Sequence, residues 1–474
     1  MNILFVANHH KTIFFKKIAD ELSKIGYRIY WLSPSTRWSQ WLFDNGVTRN
    51  DMLTITDFSD EWKKERKLSD AEYLELAELE KINDLAMNDL ILMDRLLKLK
   101  PYAYALRYLS VCNKYITNFL KINKINIVFY EATWAMEVLL AQICTKLSIK
   151  IFCVETARIV DRFIFCEGFL ADSFVNNRVA SDEHMLSAET IYENIFAKSL
   201  KPAYFILNNK PPKLSCKYIK SFGSHLKLSK LNESDETYTP ISKLIKDRIF
   251  SFVRYKFIIK QLKLTVNDIK DKPYVLYPLH VQPESSVDVR GSYYCNQLEV
   301  IVAIARSLPV THNLIVKEHS NSIGTRPLSF YKACKNIPGV ILISPYEDSI
   351  KLIKGADLVI SITGTPCLEA FLLGVKVLML SKAFFSDLIK SNGFDIFSGR
   401  FSKIAKILQE PNLSREEAKI RGVKLIAHVL ANSYSGTIGD TLSDPGVIES
   451  ENINNLVQGF AAFLTYIKQS TCLV

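Results

Sequence analysis

"YVLYPLHVQPESSV", residues 274–287, opens as an unbroken apolar run and ends in His280, Gln282, Glu284, Ser285 and Ser286, with Pro283 in the turn. Such a run suits a strand buried on both faces, and its polar end is the part that reaches the rim of a sheet. The pattern recurs downstream in "NLIVKEH" (313–319), "VILISP" (340–345), "LVISIT" (358–363) and "KVLML" (376–380). The intervening sequence predicts helices over 293–307, 327–335, 347–354 and 366–373. Strands alternating with helices specify a parallel, doubly wound α/β sheet, in which ligands sit beyond the carboxyl ends of the strands.

Those ends carry the candidate chemistry. The second strand closes with Lys317, Glu318, His319 and Ser320, the third with "SPYEDS", and the fourth with "SITGTPCLEA" (361–370). In the last of these, Thr365 and Pro366 are expected at the N-cap and first position of a helix, and Gly364 allows close backbone approach. With the hydroxyls of Ser361, Thr363 and Thr365 this makes a seat for a phosphate on a helix N-terminus, although many helices begin Thr-Pro for capping alone. Glu369 lies one residue past the capping-box position counted from Thr365, so a ribose hydroxyl or a lysine is its partner. His319 can offer an N–H to a phosphate, or serve as ordinary hydrogen-bonded structure.

The N-terminal half repeats the theme. "NILFVA" (2–7), a helix over 11–25 and "YRIYWLSP" (27–34) form a β-α-β unit. Residues 72–122 read as a helical insertion or αα-hairpin, after which "INIVFYEATW" (125–134), a helix over 135–147 and "KIFCVET" (150–156) resume the alternation. Residues 201–240, with Pro202, Pro211, Pro212 and the polar run "LNESDETYTP", suggest a surface connection between lobes. The expected domains are 1–200, a linker and basic helix over 201–270, a second lobe over 271–430, and a helical segment over 431–474 packing back on the first lobe.

At 474 residues, with 48% apolar and 11% aromatic side chains and no low-complexity tract, the chain can bury two large cores. The N-terminus enters a strand directly, without the basic and apolar regions of a secretory signal, so a cytoplasmic location is expected. The longest apolar stretch, "NNLVQGFAAFLTYI" (454–467), is too short and too polar to span a bilayer and reads as a packing helix. The nine cysteines include no CxxC pair, which points away from a disulfide framework and from a zinc site. The net charge of +11 is partly concentrated in "SKLIKDRIFSFVRYKFIIKQLK" (242–263), where seven Lys or Arg face one Asp among four aromatic residues. Such a helix could rest on anionic lipid or hold an anionic chain, or simply present a solvated basic face. No nucleic-acid-binding motif accompanies the charge.

Taken together, "PLHVQPESS", "VKEH" and "SITGTPCLEA", in that order and at those strand ends, resemble the capsule and surface-polysaccharide biosynthesis glycosyltransferases of the GT-B fold, in particular the retaining Kdo transferases that use CMP-Kdo. "YEATW" (130–134) and "ETARIVDRF" (155–163) extend the resemblance more thinly into the first half. The resemblance implies two Rossmann-like lobes with a cleft between them, an acceptor lobe followed by a nucleotide-sugar lobe. It implies that His319 and the turn Ser361, Thr363, Thr365 hold the CMP phosphate, although the relatives have His-Pro where this chain has His319-Ser320. It also implies that Glu284 stands where the relatives carry a nucleophilic Asp.

Retention by double displacement needs one carboxylate at the anomeric carbon and a second group for acid/base work. Glu284 and Glu131 are the candidates for these roles, and each could instead cap a helix or pair with a lysine. Gln282, Ser285, Ser286 and Lys317 are further donor-side candidates; His9, His10, His280, Arg158 and Arg162 are substrate-side candidates, the two arginines being four residues apart and so on one cationic face. The expected function is transfer of Kdo or a nonulosonic acid from a CMP donor to an oligosaccharide or lipid-linked glycan, without cofactor or metal, at the inner face of the cytoplasmic membrane. The alternatives are a UDP- or GDP-sugar transferase, a CDP-glycerol transferase, a UDP-sugar epimerase, or a non-catalytic subunit that binds glycan or lipid carrier.

Overall fold

The computed structural model describes residues 1–64, 67–82, 84–159, 161–195, 232, 234–269, 272–389 and 402–471. The chain forms two compact units. The first comprises residues 1–177, 217–241 and 432–474; the second comprises residues 178–216 and 242–431.

The first unit is built on a seven-stranded sheet: β1 Asn2–Val6, β2 Arg28–Ser33, β3 Met52–Thr54, β4 Ile127–Tyr130, β5 Lys150–Thr156, β6 Arg162–Glu167 and β12 Tyr434–Ser435. Its order is β12-β6-β5-β4-β1-β2-β3, parallel from β5 to β3 and antiparallel at β6 and β12. The chain runs outward from β1 to β3 and then returns to the other side of β1 at β4. That reversal leaves a crevice at the carboxyl ends of β1 and β4.

The helical insertion is three helices, Asp70–Glu80, Met87–Met93 and Tyr102–Ile122, in place of one long hairpin. Asp94 sets the break, because its buried carboxylate accepts the N–H groups of Leu96, Leu97 and Ala135 and so stops the second helix.

The C-terminal helix Ser450–Thr471 lies in the first unit. Ile453, Leu456, Phe460, Phe463, Leu464 and Ile467 share one face of it and are buried with Phe5, Phe129, Phe152, Phe163 and Phe165 of the sheet. Each of these fully buried side chains contributes roughly 1.5–3 kcal/mol. Gly459 makes the approach possible, since a Cβ there would meet Phe163 Cζ at 2.6 Å and Tyr434 Cβ at 2.9 Å. Among the described residues, no helix is long and apolar enough to cross a membrane.

The second unit carries five parallel strands, β7 Tyr274–Pro278, β8 Asn313–Lys317, β9 Val340–Ile343, β10 Leu358–Ser361 and β11 Lys376–Met379, in the order β11-β10-β7-β8-β9. β7 is central and buried, and the order reverses between β7 and β10. Two Rossmann-like units in one chain are the ingredients of the GT-B class.

Three boundaries differ from expectation. The helix Asp182–Ile195 belongs to the second unit, where it packs on the helix Arg415–Ala431; Tyr192 fits against Gly422 and donates to the Leu372 carbonyl at 2.9 Å. The basic helix Ile241–Gln261 is likewise part of the second unit from Ser242 onward, with Ile258 in its core. The polar run "LNESDETYTP" is no solvated linker where it is described: Asn232, Asp235, Glu236 and Thr237 are buried in the first unit. Asp235 accepts from the N–H and hydroxyl of Thr237, and Glu236 accepts from the Tyr104 hydroxyl and pairs with Lys100 at 2.9 Å. Polar groups paired in this way can be buried at little cost, so polarity alone misreads the segment. The prolines expected to mark a linker, Pro202, Pro211 and Pro212, lie outside the described residues.

Candidate functional site

Each unit gathers polar side chains at its strand-order reversal. In the second unit, His280 follows β7 and Ser361 ends β10, and His280 Nε2 lies 3.2 Å from Ser361 Oγ. Ser361 Oγ also accepts the Gly364 N–H at 3.0 Å. A Cβ at Gly364 would sit 2.5 Å from Ser361 Oγ and 2.9 Å from His280 Nε2, so this packing admits only glycine. The N-cap of the helix Thr365–Leu372 is Gly364, not Thr365, and no side chain caps it. The first N–H groups of a helix have no partner within it, and an external anion can accept from them. The Thr363 hydroxyl donates to the Ser286 carbonyl at 3.0 Å, tying the β10 end to the segment after β7. Glu369, partly buried, is the fifth residue of the helix, so capping does not account for it.

His280 is 9% exposed, and its Nδ1 has no hydrogen-bond partner among the described residues. Burial, then the charges of His319 and Arg326, lower its pKa to about 3, so it is neutral at physiological pH. His319 is lowered to about 4 by burial, Lys317 and Arg326. Its Nδ1 accepts the Asn321 N–H at 3.2 Å, so the neutral ring carries its proton on Nε2. His319 therefore acts as an N–H donor and not as a cation.

Glu284 is exposed at the start of the short helix Ser285–Asp288, and its N–H donates to Asp288 Oδ2 at 3.1 Å. Gln282 donates to Asp288 Oδ1 at 3.3 Å and to the Cys295 carbonyl at 2.9 Å, and its own oxygen accepts from Gln297 at 2.7 Å. Gln297 grips both the N–H and the carbonyl of His280. Behind them, Arg326 Nε donates to Glu318 at 2.9 Å, its terminal nitrogen donates to the His280 carbonyl, and Tyr331 donates to Glu318 at 2.7 Å. Lys317 is turned away from the β10 end, its amine on the Pro345 carbonyl at 3.0 Å. Asp348, in the "SPYEDS" segment, caps the next helix.

Sequence reasoning missed Arg326, Gln297 and Asp288 as supports of this site. Their partners lie between 4 and 46 residues away, and no local pattern marks them.

In the first unit, Lys11 Nζ and Glu131 Oε2 meet at 2.5 Å across the reversal between β1 and β4. Burial alone would lower the Lys11 pKa, but the charge and hydrogen bond of Glu131 outweigh it and raise it, helped by Glu155 and Asp440. A lysine opening a helix opposes the helix dipole, and that anomaly in "HHK" was the available signal for Lys11. His9 takes a left-handed backbone, φ 44°, and stands 5.7 Å from the Trp134 ring, over which Arg95 lies at 4.7 Å. Burial and the charges of Arg95 and His10 lower His9 to about 4, and burial also lowers His10, whose ring meets Trp38 edge-on at 5.2 Å. Below them Asn8 donates to Thr133 and to Glu137, and burial holds the Glu137 carboxyl well above its usual range.

Arg158 and Arg162 do not share a helical face. Arg158 sits in the turn between β5 and β6 with φ 57°, and Arg162 is on β6. Arg162 is taken up by structure, donating to Ser433 Oγ at 2.6 Å and to the Ser433 carbonyl at 2.9 Å, where it fixes β12.

Residues 217–388, a little over a third of the chain, match the family described as "Capsule polysaccharide biosynthesis protein". No curated protein matches the sequence. Among solved structures the chain is similar to the beta Kdo 2,7 transferase KpsC of Thermosulfurimonas dismutans, at 13% identity and TM-score 0.37, over 73% of this chain and 89% of that one. It is similar also to the UDP-GlcNAc 2-epimerase of Methanocaldococcus jannaschii, at 12% identity and TM-score 0.26, over 88% and 97% of the two chains. For MurG of Acinetobacter baumannii the values are 11%, 0.30, 90% and 94%. Likeness at this level selects no substrate. The family match is thus to capsule polysaccharide biosynthesis proteins, and the matched stretch contains β7 to β11 and every second-unit side chain of this site, from His280 to Glu369.

Proposed function

We propose that this protein is a glycosyltransferase of surface-polysaccharide synthesis that moves Kdo or a nonulosonic acid from a CMP donor to a glycan acceptor at the inner face of the cytoplasmic membrane. The observation that supports it best is the His280–Ser361–Gly364 packing at the uncapped N-terminus of Thr365–Leu372, with His319 as a neutral N–H donor. Such a set of neutral donors and a helix dipole suits a phosphate monoester leaving group, and no metal is required of it.

In this reading the Glu284 carboxylate attacks the anomeric carbon as the bond from that carbon to the CMP phosphate oxygen breaks, and CMP departs with its charge met by the helix N-terminus, Thr365 and His319, while Thr363, bound to the Ser286 carbonyl, holds the turn in place. Glu131 then takes the proton of the acceptor hydroxyl, whose oxygen displaces Glu284, restoring the carboxylate with net retention. Glu369 and Gln282 orient the donor. His9, His10 and Arg158 serve the acceptor side, and Lys11 holds the Glu131 side chain in place before the acceptor arrives.

The test is incubation with CMP-Kdo or CMP-nonulosonates and a glycan acceptor, following CMP release and product mass. Glu284→Gln should abolish turnover while retaining CMP binding. Consumption of a UDP or GDP sugar with every CMP donor inert would sink the donor assignment, and an unaltered glycan phenotype in Glu284→Gln and Glu131→Gln strains would favour a non-catalytic subunit.

A further inference from the structure

The helix Ile241–Gln261 has two unlike faces. Its inner face is fixed to the second unit: Ile258 and, just beyond the helix, Leu262 are in the core, Arg254 donates to the Thr325 carbonyl at 3.1 Å, and the Tyr255 and Tyr346 hydroxyls share a hydrogen bond of 2.8 Å. Contact at Ser251 is close enough that a Cβ on Gly324, φ +90°, would lie 2.3 Å from the Ser251 carbonyl oxygen. The helix therefore cannot roll to hide its other side.

That side is apolar and exposed. Ile245, Ile249, Val253 and Phe257, spaced four apart, are 44%, 47%, 47% and 53% exposed, and Phe250 widens the row. At 100° per residue Lys246, Lys256 and Lys260 fall within the same sector, and all three are exposed. A merely solvated basic face would not carry five large exposed apolar side chains on one side of a helix.

The geometry points to an anionic lipid surface as the occupant of this face, with the apolar row at the headgroup boundary and the lysines at the lipid phosphates. Charge selects the partner. Between residues 242 and 263 seven Lys or Arg oppose one Asp, so a second copy would set like charges against each other, whereas an anionic leaflet uses both the apolar row and the lysines. This gives a physical basis to the membrane-side location proposed above and rests on that part of the reading alone. Its test involves no sugar transfer, so failure here leaves the donor assignment standing, and failure of the donor assignment leaves this surface standing.

The experiment is co-sedimentation of the full-length protein with phosphatidylcholine vesicles, with and without about a third phosphatidylglycerol. Binding is expected only with the anionic lipid and should weaken as salt rises. Replacement of Lys246, Lys256 and Lys260 by Gln should lower partitioning on the order of fivefold per lysine, about 100-fold in all. Ile249→Ser with Phe257→Ser should lower it as well, with thermal unfolding unchanged because both side chains face outward. Equal binding to both vesicle types, or full binding by both variants, overturns the proposal. So does a wild-type dimer, seen by light scattering, that the Ile249/Phe257 variant dissociates while neither protein binds vesicles.

Discussion

Lys11 and Glu131 form an ion pair of 2.5 Å that bridges the ends of β1 and β4, the two strands between which the first sheet reverses its order. Removing the carboxylate leaves the Lys11 ammonium partly buried without its nearest counter-charge. Glu131→Gln is expected to lower kcat about 10²- to 10⁴-fold, the usual range for a lost general base, with donor KM unchanged. The pair also predicts a pH dependence. The folded-state pKa of Lys11 is raised above 10.5, so the stabilisation is fully present below 10.5 and is lost as pH rises through the raised value. The Tm difference between wild type and Glu131→Gln should be constant near neutrality and shrink as pH rises through that alkaline window.

Acid should act through the histidines. His9, His280 and His319 have folded pKa values near 4, 3 and 4, below the ordinary 6.5, so the unfolded chain binds protons that the folded chain does not. Stability is full above pH 6.5 and falls as pH drops from there towards 4. His280→Asn, which cannot titrate, should flatten the slope of unfolding free energy of the second unit by about 1.4 kcal/mol per pH unit over that window. Urea melts at a series of pH values measure it; an unchanged slope would refute the assignment.

Glu318 and Arg326, 1% and 9% exposed, predict a large single-variant effect and a small double-variant one. Arg326→Met strands a buried carboxylate and should cost roughly 3–5 kcal/mol, whereas Arg326→Met with Glu318→Leu should recover most of it. Because Arg326 also holds the His280 carbonyl, CMP affinity measured by calorimetry should stay weakened in the double variant after stability returns.

Gly459 tests the packing of the C-terminal helix. Alanine gains up to about 1 kcal/mol in helix propensity, but overpacking in a close-packed core costs roughly 1–3 kcal/mol. With Phe163 and Tyr434 closer than 3 Å to the new Cβ, Gly459→Ala should be net destabilising in a thermal melt.

The second sheet was legible in the sequence because strands buried on both faces are continuous apolar runs and their breaks are local. All five strands fall inside the quoted segments. β6 was missed because "RFIFCE" pairs antiparallel with β5 through a tight turn, which the expectation of strand-helix alternation passes over. Thr365 was misplaced as a cap by one residue because Thr-Pro reads equally as N-cap with N1 or as N1 with N2.

By itself, then, the sequence determined the class of fold and the strand ends of the second unit, at whose rim His280, Glu284, His319 and the 361–365 turn lie. All of these depend on neighbours a few residues apart and on the period of apolar side chains. Tertiary structure alone decided that Lys11 finds Glu131, that Arg326 supports His280, and that Thr441, on a segment 431 residues away, donates to the His10 carbonyl. It also turned a polar run at 232–237 into buried structure. Those outcomes depend on which distant group satisfies a buried charge or polar atom, and nothing in the local pattern of a chain encodes the partner.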